Sequence, residues 1–104
     1  MIYKRPSVNP NKVVVIFEIP STVWADHINL VGDFNDWDRN NLPFRQSRQE
    51  NWQVEVELDS GREYRFRYLF DGGHWGYDWH SDKSLPDATG GYDSIVIAEF
   101  PQAI

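Results

Sequence analysis

A tryptophan at the end of a polar turn is the first residue whose type and position could serve chemistry. Residues 32–37 read Gly-Asp-Phe-Asn-Asp-Trp and directly follow the short apolar run of residues 28–31. Glycine, aspartate and asparagine tolerate turn geometries that branched residues resist, so the turn ends this run. Two large rings cannot easily point the same way in so tight a turn. We expect Phe34 to anchor the turn in the core and Trp37 to be displayed.

Other side chains could share a surface with Trp37. Trp75 follows the Asp-Gly-Gly turn of residues 71–73, and Arg67 alternates with aromatic residues in the run before that turn. Aromatic rings offer a large apolar face at low entropic cost, and arginine donates charge-assisted hydrogen bonds. The chain has five tryptophans in 104 residues, more than a small core needs. A polar, uncharged ligand that stacks on aromatic faces would account for the excess.

Composition and charge limit the class of protein. With 40% hydrophobic and 25% charged residues, the chain is typical of one globular domain. The absence of cysteine excludes a disulfide framework and thiolate metal sites, and it permits the reducing cytoplasm, where we expect the protein to act. The net charge of -6 argues against nucleic acid as a partner. We also expect no membrane partner, because neither a signal-peptide pattern nor a spanning run occurs.

The elements that must position these side chains are short strands. Apolar–polar alternation and β-branched residues predict strands over residues 13–19, 28–31, 52–58, 64–70 and 94–100, with a short edge strand over 42–45. We expect a loose lead-in, a long loop and a tail over residues 1–11, 74–91 and 101–104. The fold predicted for residues 12–100 is an all-β, immunoglobulin-like antiparallel β-sandwich of about seven strands. A closed barrel is the alternative architecture.

These motifs together resemble one protein family. The turn of residues 32–37, Leu-Pro-Phe at 42–44, Tyr-Arg-Phe-Arg-Tyr-Leu-Phe-Asp-Gly at 64–72 and then Trp75 look like the early-set domain of carbohydrate-binding module family 48. That family includes the isoamylase N-terminal domain and the glycogen-binding domain of the AMP-activated protein kinase β subunit. The resemblance implies a non-catalytic module, without a cofactor, that binds α-1,4-glucans of the glycogen or starch type.

The resemblance also implies which residues contact the sugar. In the kinase-type modules these are a tryptophan closing the first turn, a basic strand residue, a tryptophan after the aspartate–glycine turn, and a polar residue before the last strand. The matching positions are Trp37, Arg67, Trp75 and Asp93. This chain has arginine where those modules have lysine, one extra residue before Trp75, and aspartate where asparagine is expected. An ionised aspartate only accepts hydrogen bonds, whereas asparagine also donates them.

The remaining aromatic residues have alternative interpretations. Trp79 and Tyr92 would extend a sugar-binding surface, but Trp79 could instead pin the long loop, so either it or Trp75 is the second stacking residue. Trp52 is in phase with the apolar residues of its strand, and we expect it in the core. Trp24 is also expected to pack, at one end of the core.

Other functions stay open on the sequence alone. Arg67 could be a solvated strand residue paired with Glu55 or Glu57, and such pairs contribute little. Early-set domains also pack against catalytic domains, so the aromatic face could meet a glycogen- or starch-metabolising enzyme instead of a sugar. Hydrolysis would need two carboxylates across a cleft, and the candidate aspartates lie in turn-rich sequence. The acidic turn lacks the ligand spacing of a calcium loop, so we expect no metal site.

Overall fold

Two antiparallel β-sheets packed face to face form the molecule. The structure is a computed structural model and describes residues 1–48, 50–78, 81–87 and 91–99. Within these residues the strands are β1 (Ile2–Pro6), β2 (Lys12–Ile19), β3 (Ile28–Gly32), β4 (Arg45–Gln46), β5 (Trp52–Asp59), β6 (Glu63–Phe70), β7 (His74–Gly76), β8 (Lys83–Pro86) and β9 (Tyr92–Ile97). The first sheet has the order β1-β2-β5-β4, and the second has the order β3-β6-β9-β8, with β7 also paired to β6. The predicted sandwich is confirmed, and the barrel is not formed because the strands pair into two separate sheets.

The core lies between the two sheets and is built from alternate residues of the long strands. In β2 the inward positions include Phe17, which is completely buried, and in β6 they include Phe66 and Tyr68. The rings of Phe17 and Phe66 meet across the sandwich in an edge-on arrangement, with 5.0 Å between centroids. Because strand side chains alternate between faces, the same pattern leaves every second residue of β6 on the outer face of the second sheet.

The strands with strong alternation are confirmed, and the weakly patterned regions are where the prediction was wrong. Strands β2, β3, β5 and β6 match the predicted runs to within a residue or two. The lead-in is not loose over Ile2–Pro6, because β1 pairs with β2. Two strands, β7 and β8, occur within the predicted loop. Both β1 and β8 are mostly exposed edge strands, so burial leaves little period-two signal in their sequences.

The ends of two predicted strands also differ. Pro43 makes an isolated bridge to Asn29, and the edge strand β4 begins only at Arg45. The last strand begins at Tyr92 and ends at Ile97, earlier than predicted. Residues 100–104 lie outside the described residues, so the expected tail and the boundary at residue 100 stay predictions.

The two tryptophans expected to pack have different outcomes. Trp52 is partly buried against the core, as predicted. Trp24 is 95% exposed, so its predicted packing role was wrong. The loop that carries Trp24 is instead held by Val23 and Ala25, which pack against the core. It is also held by Asp71, whose carboxylate accepts from the amides of Asp26 and His27. No helix in the described part of the chain has the length and apolar character needed to cross a membrane.

Candidate functional site

The turn after β3 has an unusual backbone that displays Trp37. A single 3-10 turn, Asp33–Asn35, follows Gly32, and then Asp36 and Trp37 adopt φ values of 54° and 58°. The amide of Trp37 closes the turn by donating to the carbonyl of Gly32 over 2.9 Å. A bulky residue with positive φ is uncommon and strained, and such residues concentrate at functional sites. The strain therefore marks Trp37 as a residue whose placement the surrounding structure enforces.

Two residues of the turn make this geometry possible. Asn35 accepts a hydrogen bond from the amide of Gly32 at 3.0 Å, and its Nδ2 donates to the carbonyl of Leu30 at 3.1 Å. Gly32 lies so close to β6 that an added Cβ would be 2.5 Å from the carbonyl oxygen of Arg65. The glycine thus allows the turn to approach β6 closely. The side chain of Asn35 provides hydrogen bonds to backbone groups at the end of β3.

Phe34 and Trp37 diverge as predicted from the turn sequence. The ring of Phe34 packs on the core, with its centroid 6.0 Å from that of Phe17 and 6.0 Å from that of Tyr64. Trp37 is only partly buried and lies against the outer face of the second sheet, near Arg67. Phe34 is therefore the core anchor of the turn, and Trp37 is a surface residue.

Asp33 fixes the orientation of the Trp37 indole. The indole Nε1–H of Trp37 donates to Oδ1 of Asp33 over 3.0 Å, and the other oxygen of Asp33 accepts the backbone amide of Arg65 over 2.8 Å. The polar edge of the ring is thus satisfied within the protein. Its orientation is tied to β6, the strand that carries Arg67.

Strand pairing brings Arg67 and Trp75 onto the same face. Arg67 and Leu69 are outward residues of β6, and Trp75 pairs with Leu69 in the β6–β7 hairpin. The guanidinium carbon of Arg67 lies 5.9 Å from the ring centroid of Trp37 and 5.8 Å from that of Trp75. These are cation–π distances. We refer to Trp37, Arg67 and Trp75 as the platform.

The platform covers apolar sheet surface as well as facing outward. Val31 and Leu69 are outward residues of β3 and β6, yet both are almost completely buried. Trp75 itself is 42% exposed. The platform side chains therefore lie over these two residues and retain a solvent-facing side.

Arg67 is held in place by two carboxylates. Its Nε donates to Oδ1 of Asp93 over 2.5 Å, and its Nη2 donates to Asp87. The second oxygen of Asp93 accepts from Arg65 at 3.2 Å, and Asp93 is only 5% exposed. An ion pair that is largely buried and charge-assisted restricts the guanidinium far more than a surface pair would. The guanidinium is thus fixed between the two indoles.

The alternative pairing of Arg67 with Glu55 or Glu57 is not formed. Glu55 and Glu57 lie on β5 in the other sheet, where Glu55 pairs with Arg5 and Glu57 accepts from Ser7. The sequence placed an acidic partner on a neighbouring predicted strand. The acidic partner Asp93 lies on β9, a neighbour of β6 that the chain reaches only after the hairpin and β8.

The three other predicted site residues have different placements. Asp93 lies below Arg67, and its two oxygens accept from Arg65 and Arg67, so its contact with a sugar stays a prediction. Tyr92 is 58% exposed, but alternation along β9 puts it on the face opposite Asp93, so it does not extend the platform. Trp79 lies outside the described residues, and its role stays a prediction.

Arg39 reaches the platform although the sequence did not single it out. It lies in the exposed loop that follows Trp37, and its guanidinium carbon is 5.2 Å from the ring centroid of Trp75. An arginine in a polar loop carries no periodicity. Only the distance between this loop and β7 could have revealed the contact.

The carboxylates considered for hydrolysis are each engaged in the structure. Backbone amides of His27 and Asp26 hold the pKa of Asp71 below its usual value. Asp78 accepts from the hydroxyl of Tyr68, whose pKa is raised by burial and then by the nearby carboxylate. Asp82 pairs with Lys4. Asp87, the fourth of these carboxylates, accepts from Arg67. Among the residues described, no group of three or more His, Cys, Asp or Glu side chains is placed to hold a metal ion.

Comparison with known proteins places the chain in a family. The family model of carbohydrate-binding module 48, the isoamylase N-terminal domain, matches residues 18–88. The 1,4-alpha-glucan branching enzyme GlgB of Aquifex aeolicus is 36% identical over 72 residues, which are 64% of this chain and 10% of that enzyme. The chain thus spans about a tenth of the length of this relative. The residues matched by the family model include the whole platform and end before Asp93.

Proposed function

Because the chain belongs to the carbohydrate-binding module 48 family, we propose that it binds α-1,4-glucans of the glycogen or starch type on the platform. The observation that carries the proposal is the position of one guanidinium over two outward indole rings. The two ring centroids are no farther apart than the sum of those two distances. An extended sugar chain could therefore contact both rings at once.

The chemistry of the platform suits a neutral sugar. Each glucose unit presents apolar C–H faces and a rim of hydroxyl groups, so an indole can stack on the face without any charge on the ligand. Arginine has five N–H donors, and within the described part of the chain the hydrogen bonds of Arg67 use Nε and Nη2. In the proposed complex its Nη1 group would donate to the hydroxyl rim.

The residues around the platform act by positioning it. Asp33 fixes the indole of Trp37, and Asp93 and Asp87 fix the guanidinium of Arg67. A surface that is ordered before binding avoids the entropy loss of fixing side chains on association. We therefore assign Asp93 a positioning role in place of the direct sugar contact that its sequence position implied.

The proposed role is binding without catalysis. Glycoside hydrolysis needs two carboxylates placed across the scissile bond, whereas the aspartates described above are engaged in separate structural contacts. The similarity to a 1,4-alpha-glucan branching enzyme supports a context of glucan metabolism. In that context the module would hold a glycogen- or starch-metabolising enzyme at its polymer, and we place this role in the cytoplasm.

Replacing Trp37 tests the proposal. We expect Trp37→Ala to weaken maltoheptaose binding about tenfold or more, because truncating a central tryptophan removes at least ~1.4 kcal/mol of binding free energy. Trp24→Ala is the matched control, since Trp24 is also exposed but lies in the loop before β3. Isothermal titration calorimetry gives both affinities, and an amide NMR titration locates the contact.

Cellohexaose serves as the ligand control in the same titration. Amide shifts around the platform with maltoheptaose alone would support an α-glucan site. The same affinity in both tryptophan variants would contradict the proposal. Absence of shifts at millimolar maltoheptaose would also contradict it and would favour a protein partner for the aromatic face.

A further inference from the structure

A second arginine contacts the platform, and it is held differently from the first. Arg67 is fixed by two carboxylates, with Asp93 at 2.5 Å. Within the described part of the chain, the contact shown for the Arg39 guanidinium is the one with Trp75, at 5.2 Å, closer than that of Arg67 at 5.8 Å. Arg39 is exposed and belongs to a loop, not to a strand. One arginine is therefore a fixed part of the platform, and the other can leave it.

The Arg39 guanidinium and a sugar ring would compete for Trp75. Both stack on the face of the indole, and the face that Arg39 covers cannot also carry a glucose ring. Arg67, by contrast, lies over both Trp37 and Trp75, and its carboxylates prevent it from moving away. A glucose ring must therefore use an indole face that Arg67 leaves open, and Arg39 lies only on Trp75. The two tryptophans of the platform are thus unequal, and Trp75 is the one with a movable cover.

We propose that Arg39 covers Trp75 in the free protein and is displaced by glucans long enough to reach both tryptophans. This inference rests on the proposed function and deepens it, because it makes Arg39 a determinant of chain-length preference. A short maltooligosaccharide stacks on Trp37 alone and leaves Arg39 in place. A longer chain must displace Arg39 from Trp75. Losing a cation–π contact at an exposed site lowers the affinity for that chain about two- to five-fold.

The test compares two sugars on one substitution. We expect Arg39→Ala to tighten maltoheptaose binding about two- to five-fold and to leave maltotriose binding unchanged. Arg48→Ala is the matched control, because it removes the same charge from an exposed turn in the region between β4 and β5. Isothermal titration calorimetry on the three proteins with both sugars provides the affinities.

A fluorine NMR experiment tests the cover without any sugar. The protein is labelled with 5-fluorotryptophan, and each signal is assigned by replacing one tryptophan with phenylalanine. In Arg39→Ala, the Trp75 signal should move and become more sensitive to exchange of water for deuterium oxide, while the Trp24 signal should stay unchanged. An unmoved Trp75 signal would overturn the covering contact.

The outcomes separate this inference from the proposed function. If the unmodified protein binds neither sugar, the proposed function and the displacement both fail. If it binds maltoheptaose but Arg39→Ala weakens that binding, Arg39 donates to the sugar and the inference is overturned, while the proposed function stands. Equal tightening with both sugars would overturn the length dependence.

Discussion

Asp93 is a buried carboxylate whose contacts in the structure differ from those that its sequence position implied. The family resemblance implied a direct contact with sugar, yet Asp93 is 5% exposed and accepts hydrogen bonds from both Arg65 and Arg67. An aspartate cannot donate to a hydroxyl group as asparagine can. It is, however, the better partner for two guanidinium groups, because both of its oxygens accept. The arginine at position 67 and the aspartate at position 93 therefore form one hydrogen-bonded unit.

Replacing Asp93 by asparagine should uncouple that unit. The asparagine amide has one oxygen and one NH2 group. Its NH2 group and the guanidinium that it faces are both donors, so they form no hydrogen bond. We expect Asp93→Asn to lower the free energy of unfolding by about 1–3 kcal/mol and to weaken maltoheptaose binding several-fold. Urea unfolding and calorimetry measure the two effects. Asp36→Asn is the control, because it removes the same charge beside Trp37 and asparagine tolerates the left-handed backbone there.

The side-chain NMR signal of Arg67 distinguishes positioning from direct contact. If Asp93 holds Arg67, the Nε–H signal of Arg67 should shift in Asp93→Asn, and this proton should exchange faster with water, even without sugar. Loss of binding with an unchanged Arg67 signal would instead mean that Asp93 contacts the sugar.

At the scale of elements, the β6–β7 hairpin places Trp75. The turn residues Asp71 and Gly72 have φ values of 52° and 72°, the left-handed pair that suits the twist of a hairpin. The turn sets the register of the hairpin, in which Trp75 pairs with Leu69. A one-residue shift of register would have sent the tryptophan to the other face. Turn geometry thus decides that Trp75 joins the platform.

Acid should weaken the link between this hairpin and the preceding loop. The carboxylate of Asp71 accepts the amides of Asp26 at 2.7 Å and His27 at 2.9 Å, and these bonds lower its pKa in the folded protein. The carboxylate therefore stabilises the fold fully above the unfolded-state pKa of about 3.9. This contribution is lost as the pH falls through the lower, folded-state pKa.

Asp71→Asn isolates this pH dependence. The asparagine tolerates positive φ and accepts hydrogen bonds without a charge, so we expect the variant to be less stable than the unmodified protein near neutral pH. The difference should shrink as the pH falls from about 4 to about 2. Urea unfolding across this range provides the free energies. Parallel stability curves for the two proteins would contradict the assignment.

At the scale of the whole molecule, one core residue connects both sheets with the turn. Phe17 of the first sheet contacts Phe66 of the second sheet and Phe34 of the turn, with centroids 5.0 Å and 6.0 Å away. We expect Phe17→Ala to lower the free energy of unfolding by about 3–5 kcal/mol, a large part of the ~5–15 kcal/mol of a typical domain. Urea unfolding measures it. Val8→Ala, at a fully exposed position, should change it by about 0.5 kcal/mol or less. A similar change in both variants would contradict this role for Phe17.

The sequence by itself determined most of the fold and the membership of the platform. Alternation predicted β5 and β6, because half-buried strands imprint a period of two on their residues, and β-branched residues predicted β2. The polar turn predicted that Phe34 and Trp37 diverge, because that conflict is local. The family resemblance then connected Trp37, Arg67 and Trp75, which lie far apart in sequence. In the structure the guanidinium carbon of Arg67 is 5.9 Å from the ring centroid of Trp37 and 5.8 Å from that of Trp75.

Only the tertiary structure decided what holds the platform and what covers it. Arg67 takes its partner from Asp93, 26 residues away, and Arg39 meets Trp75 from a loop on the far side of β6. Trp24 is exposed while Val23 and Ala25 on either side of it pack on the core, and Asp71 binds the backbone of the same loop. Each of these depends on which strands and loops become neighbours. Local propensity carries no information about such pairings, since their energy arises only when distant segments meet.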